Sequence, residues 1–227
     1  MHMNNDFSAG DYRRLVIGAD TVVPLRNGSF AHSINFDNAA TTPPFASVMR
    51  DIEGFVPWFS SIHRGAGYKS RVSTEIYEDS RRKVMGFINA SPERNTCIYV
   101  KNTTEAINKL SYRLCDGGGR CVILSSDMEH HSNDLPWREK FTVDYISLDR
   151  SGRLDVDDLE RKLKQYRGHV RLVTVAGASN VTGYVNPVYR IASLAHSYGA
   201  RILVDGAQLV AHRGLDMNPT DDGECID

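Results

Sequence analysis

The stretch "ARILVDGAQLVAHRGLD" (200–216) runs apolar through Ile202, Leu203 and Val204 and then stops at an acid, Asp205. An uninterrupted apolar run of this length reads as a strand, here 200–207, buried on both faces. Strands of that kind belong to parallel sheets, and such sheets bind their ligands beyond the carboxyl ends of the strands. Asp205 and Gln208 therefore stand where a ligand would be held.

The same pattern recurs upstream. "TCIYVKN" (96–102), "RCVILSS" (120–126), "TVDYISLD" (142–149) and "VRLVTVAG" (170–177) read as four further strands. Between them, 103–114 is an amphipathic helix with Ala106, Ile107, Leu110 and Leu114 on one face. Helices are also predicted over 129–140, 155–166 and from Asn186, where Asn at the cap, Pro187 in the first turn and Gly199 at the end supply the punctuation. Strands alternating with helices predict an α/β fold: three layers, with a mostly parallel sheet and helices on both faces. The first third differs, with helices predicted over 47–59 and 73–90 joined by the polar "SSIHRGAGYKS". Residues 1–34 read as an arm and 35–227 as one large, partial domain; Met1, His2 and Met3 are set aside as a tag remnant.

Hydrophobic residues make up 41% and charged residues 24%, with a net charge of -1. That balance gives no electrostatic case for a nucleic acid or an anionic membrane as partner. No apolar run reaches membrane-span length. Cys97, Cys115, Cys121 and Cys225 show no C-x-x-C spacing, and two lie in strand-like runs, as expected of buried thiols in the cytoplasm.

The expected carboxyl ends carry a recurrent set of polar residues. Asn102, Thr103 and Thr104 open a helix; Glu129, His130 and His131 follow one strand; Ser179 and Asn180 follow another; Asp205 and Gln208 follow the last. Each has an ordinary alternative. Thr103 and Thr104 would serve as helix caps, Asn180 would make a turn with Gly183, and Asp205 would cap the next turn. His130 and His131 would be surface or core histidines, and glycines 117–119 would end a helix and turn the chain. Taken together, the set matches four of the five needs of pyridoxal 5'-phosphate: a phosphate cradle, a carboxylate for the ring nitrogen, a ring to stack and a donor to the phenolate. The fifth, a lysine, is not met by the residues at these strand ends.

Six motifs in order, "NFDNAATTPP" (35–44), "HRGAGYKSRVSTEIYEDSRRKVMGFINA" (63–90), "NTTEAIN" (102–108), "EHHSNDLPW" (129–137), "SNVTG" (179–183) and "VDGAQ" (204–208), resemble the cysteine desulfurase and class V aminotransferase family of fold-type I pyridoxal-phosphate enzymes. The resemblance implies Thr103 and Thr104 at the phosphate, His130 stacked on the ring and moving protons, and Asp205 at the ring nitrogen. It further implies Gln208 and Asn180 near the phenolate, a loop at the mouth of the site containing His63 and Arg64, an amino-acid substrate, a homodimer and a sulfur-acceptor protein. Family members continue past "DGAQ" to a strand ending in His-Lys, so "CID" (225–227) reads as the start of that strand. The resemblance thus implies an N-terminal portion, inactive by itself, without the lysine or the small C-terminal domain. Desulfuration and transamination share their first step and stay open as alternatives, with "EHH" favouring the former. A metal-dependent hydrolase using His130, His131 and Asp205 is disfavoured, since adjacent helical histidines point about 100° apart. A non-catalytic assembly module is the remaining alternative.

Overall fold

A computed structural model describes residues 9–115 and 121–227. Met1–Met3 and the glycines at 117–119 lie outside these residues. The chain forms two compact units, Met1–Asp79 and Ser80–Asp227.

In the first unit, α1 (Ala9–Arg13) precedes an antiparallel hairpin of β1 (Val22–Pro24) and β2 (Phe30–His32). The helix α2 (Ala46–Phe55) continues into a 3-10 turn with Pro57 near its start and has no buried residue. The next helix, α3 (Tyr68–Phe87), runs across the boundary between the units and starts earlier than its apolar periodicity indicates. Its first turns are held by hydroxyls instead: Ser70 Oγ donates to Ser61 O at 2.7 Å, and Ser73 Oγ accepts from Ser60 N at 2.9 Å. Serines carry no hydrophobic signal, so pattern reading misses this turn.

The second unit holds α4 (Thr103–Cys115), β3 (Val122–Ser126), α5 (Leu135–Arg138), β4 (Thr142–Ile146), α6 (Val156–Gln165), β5 (Val170–Ala176), α7 (Val188–Ser197) and β6 (Arg201–Asp205). The sheet order is β4-β3-β5-β6, and every pairing is parallel. One face buries Leu124, Val173, Val175 and Ile202 against Leu159 and Leu163 of α6 and Ile191, Ala192 and Ala195 of α7. The other buries Ile123 and Leu172 against Ile107 of α4 and Trp137 of α5. The expected three-layer α/β architecture is therefore present, with helices on both faces of a parallel sheet.

Four details differ from expectation. Residues 96–102 form no strand; they pair with no ladder and are tied by Arg81 Nε to Cys97 O at 2.8 Å and by Tyr99 Oη to Ser80 Oγ at 3.0 Å. Residues with β-propensity make a strand only where a neighbour offers an edge. The helix expected over 129–140 is broken into a 3-10 turn, His131–Asn133, and the short α5, with Pro136 at its first positions. α7 takes Pro187 rather than Asn186 as its cap, and the Asn186 side-chain Nδ2 donates to Ala176 O at 2.8 Å. Cys97 and Cys121 are only half-buried; Cys225 is buried.

Candidate functional site

Alternation along β6 puts Leu203 on the α4 face, packed with Ile107 and Leu172, so Asp205 shares that face at the strand's carboxyl end. A cavity of about 300 Å³ opens there, lined by Val100, Thr103, Ala106, Ile107, Leu203 and Asp205 among others. Thr103 and Asp205 thus line one pocket of small-ligand size. Thr104, His130, Asn180 and Gln208 stand at the same end of the sheet but do not line this cavity.

The ordinary duties foreseen for the site residues fall partly to their neighbours. Asn102, not Thr103 or Thr104, caps α4: its Oδ1 accepts from Glu105 N at 2.9 Å, while Glu105 Oε2 accepts from Lys101 N at 2.7 Å. This reciprocal box leaves the Thr103 and Thr104 N–H groups without an acceptor among the described residues. Ser179, not Asn180, makes the turn after β5: its Oγ accepts from Val181 N and Thr182 N, each at 3.2 Å, and Gly183 adopts φ 72°. Asn180 is left exposed at the tip.

Asp205 is 9% exposed, and its Oδ1 accepts from Ala207 N at 3.1 Å. The expected capping of the next turn is therefore real, and among the described residues it uses one oxygen of Asp205. Gly177 N donates to Asp205 O at 2.8 Å, which locks the end of β6 to the end of β5. A Cβ on Gly177 would meet Leu209 Cδ2 at 2.8 Å, so this close approach requires glycine.

His130 caps the 3-10 turn: its Nδ1 accepts from Ser132 N at 3.2 Å and lies 2.7 Å from Ser132 Oγ. With Nδ1 accepting, the proton of the neutral ring resides on Nε2. The His131 ring sits 6.2 Å from that of His130. Among the described residues no three His, Cys, Asp or Glu side chains are grouped to hold a metal ion. In the first unit, His63 adopts φ 55° and bonds Glu78 Oε1 through Nε2 at 2.8 Å; Arg64 O accepts from Ser61 Oγ at 2.8 Å.

One residue, Glu129, has a place that sequence reasoning noted without giving it a role. Its Oε1 accepts from Ser126 Oγ and from Ala176 N (2.9 Å), and its Oε2 accepts from Asn133 Nδ2 (2.7 Å). Burial pushes its carboxyl up to about 7, the three donors pull against that, and the charge of Asp205 adds to the rise. The only sequence signal is its place beside His130, masked by the commonness of glutamate on surfaces.

The residues present suit pyridoxal phosphate on three observations. Two amides of α4 stand unpaired at a helix N-terminus, as a phosphate requires. A buried carboxylate with an oxygen to spare lines the cavity beside them. The cavity's walls are otherwise mostly apolar, as for the ring of such a cofactor. No lysine lines it.

The aminotransferase class-V family model matches residues 34–221. A probable cysteine desulfurase of Halalkalibacterium halodurans is 33% identical over 192 residues, covering 81% of this chain and 46% of that protein. The cysteine desulfurase of Haloferax volcanii is 35% identical over 196 residues, covering 83% of this chain and 45% of that protein. Among solved structures, the apo cysteine desulfurase of Thermococcus onnurineus NA1 superposes with a TM-score of 0.73 at 28% identity, covering 86% of this chain and 46% of that one. The chain spans about half the length of the curated relatives it matches.

Proposed function

The chain belongs to the aminotransferase class-V family, whose members are pyridoxal-phosphate enzymes, and we propose that it supplies the first part of the cofactor domain of a cysteine desulfurase. The observation that carries this reading is the cavity at Thr103 and Asp205, where unpaired helix amides and a buried carboxylate flank one small space. When bound, pyridoxal phosphate supplies an electron sink for a carbanion at the substrate's α-carbon.

The chain's own residues have separable roles in this reading. The Thr103 and Thr104 amides bind the phosphate, aided by the α4 dipole. Asp205 accepts the ring N–H and keeps that nitrogen protonated. His130 covers one ring face and exchanges a proton at Nε2, while Nδ1 stays anchored to Ser132. Asn180 and Gln208 orient the phenolate and the substrate carboxylate. In the net reaction the C–S bond of cysteine breaks, an acceptor thiolate takes the sulfur as a persulfide, and a proton completes alanine. The partners in this proposal are a small amino acid, a second copy of the chain and a sulfur-acceptor protein in the cytoplasm.

An aminotransferase is the second reading. Product analysis of the full-length protein with cysteine and a thiol acceptor separates them. With the thiol in excess, so that a second equivalent reduces the persulfide and releases its outer sulfur, alanine and sulfide in equal amounts are expected; a keto acid with no sulfide would establish amino transfer instead.

A further inference from the structure

Glu129 lies at a junction of three sheet strands. Through Ser126 it is tied to the end of β3, and through the Ala176 amide to the end of β5. Ala176 is the register partner of Asp205 on β6. Through Asn133 it holds the turn that His130 caps, because Asn133 N donates to His130 O at 2.8 Å. Asn133 is fully buried, and its Oδ1 accepts from Thr174 Oγ1 at 2.7 Å; the Trp137 indole donates to Asn133 O at 3.0 Å. The network is buried, shared between both sides of the site, and has one ionisable member.

We propose that Glu129 is a positioning residue, whose carboxylate fixes the His130 turn against the end of β5 beside Asp205. It touches no reacting atom and acts through His130 and Asp205. This inference deepens the cofactor-site reading and rests on it for its catalytic consequence, but not for its structural one.

The chemistry of the cage permits both charge states. As carboxylate, Glu129 accepts all three donors. As carboxylic acid, it has one O–H to place, and the Ser126 hydroxyl can rotate to accept it while the amide and Asn133 bonds persist. The ionisable groups around it are Asp205 from β6 and, in its own turn, Asp127, His130 and His131; β5 presents only the Ala176 amide and Thr174, and the 3-10 turn presents Asn133. Of these, Asp205 is the one whose charge acts on it, in the direction that favours the proton.

Two measurements test this. In this chain without cofactor, the amide resonance of Ala176 and the side-chain amide of Asn133 are followed by NMR from about pH 5 to pH 9. Both are expected to move together with one midpoint near 7. The movement should vanish in Glu129→Gln, and its midpoint should rise in Ser126→Ala, which removes a donor to the carboxylate. In the full-length enzyme, Glu129→Gln should lower kcat on the order of 10- to 100-fold with little change in KM. Glu129→Asp, which keeps the charge, should recover part of kcat and keep a limb of the pH profile that Glu129→Gln loses. Independent titration of Ala176 and Asn133, or their persistence in Glu129→Gln, would overturn the structural claim. A pH profile of kcat identical in wild type and Glu129→Gln would overturn the positioning role. If the enzyme acts on no cysteine at all, the functional reading fails while the NMR result still decides the role of Glu129 in holding the turn.

Discussion

A methyl group on Gly177 would sit 2.8 Å from Leu209 Cδ2 and 3.2 Å from Val204 Cγ1, between the end of β5 and the turn after β6. Gly177→Ala should therefore cost about 1–3 kcal/mol through overpacking, read as a lowered midpoint in chemical denaturation. An unchanged midpoint would mean that the two strand ends are not locked as described. Asp205 makes a different kind of prediction. Asp205→Ala should weaken binding of pyridoxal phosphate by a charge-assisted hydrogen bond, about 1.5–3 kcal/mol, and reduce turnover by more than it reduces binding. A loss confined to binding would argue against Asp205 as the ring-nitrogen partner. Glu129 sets a pH dependence of stability. Its carboxyl titrates near 7 in the folded chain and at 4.5 in its ordinary state, so the folded form holds the proton more tightly. The stability this contributes is full below about pH 4.5 and is lost as pH rises through about 7, up to about 3 kcal/mol and less for a carboxylate that water partly reaches. Asp134, Asp144 and Asp158 work the other way: their lowered values contribute stability that is lost only on acidification below their ordinary 3.8. Denaturation at about pH 5 and pH 8 should show the wild type weakening at the higher pH and Glu129→Gln weakening less.

Elements are legible in the sequence where their burial is two-sided or their caps conventional. β3, with every residue buried, and β5, buried at all but Arg171, read as near-continuous apolar runs and are strands. α6 is equally clear, and Asp155 caps it by accepting from Asp157 N and Asp158 N at 3.0 and 3.1 Å. The segment 96–102 is not legible as the irregular stretch it is, since Ile98 and Val100 have strand propensity whether or not a neighbouring strand offers an edge. The site is legible as a set of residues but not as a division of labour. Nothing in "NTTEAIN" tells which residue caps the helix, and only the geometry shows that Asn102 does so and releases the two threonine amides. Asn102→Ala should cost about 1 kcal/mol of stability. It should also draw Thr103 or Thr104 into the capping role, so phosphate binding should weaken along with stability. Loss of stability without loss of phosphate binding would separate the cap from the cradle.

At the scale of the molecule, the net charge is -1 and no described helix is long and apolar enough to cross a membrane. In the first unit, Val48, Ile52 and Phe59 are 51%, 50% and 70% exposed on or just after α2. Large exposed apolar patches mark association surfaces, so light scattering should show mass rising with concentration. A constant monomer mass would count against the proposed homodimer. In the second unit, the proposed pyridoxal-phosphate site stands on Thr103, Thr104 and Asp205 at the carboxyl end of β6. Its most direct test is a titration of this chain with pyridoxal phosphate, followed by backbone amide NMR. Saturable shifts are expected at Thr103, Thr104, Gly206 and Ala207, competed by inorganic phosphate and weakened about tenfold or more by Asp205→Ala. Shifts confined to other residues, or affinity unchanged by Asp205→Ala, would contradict the site.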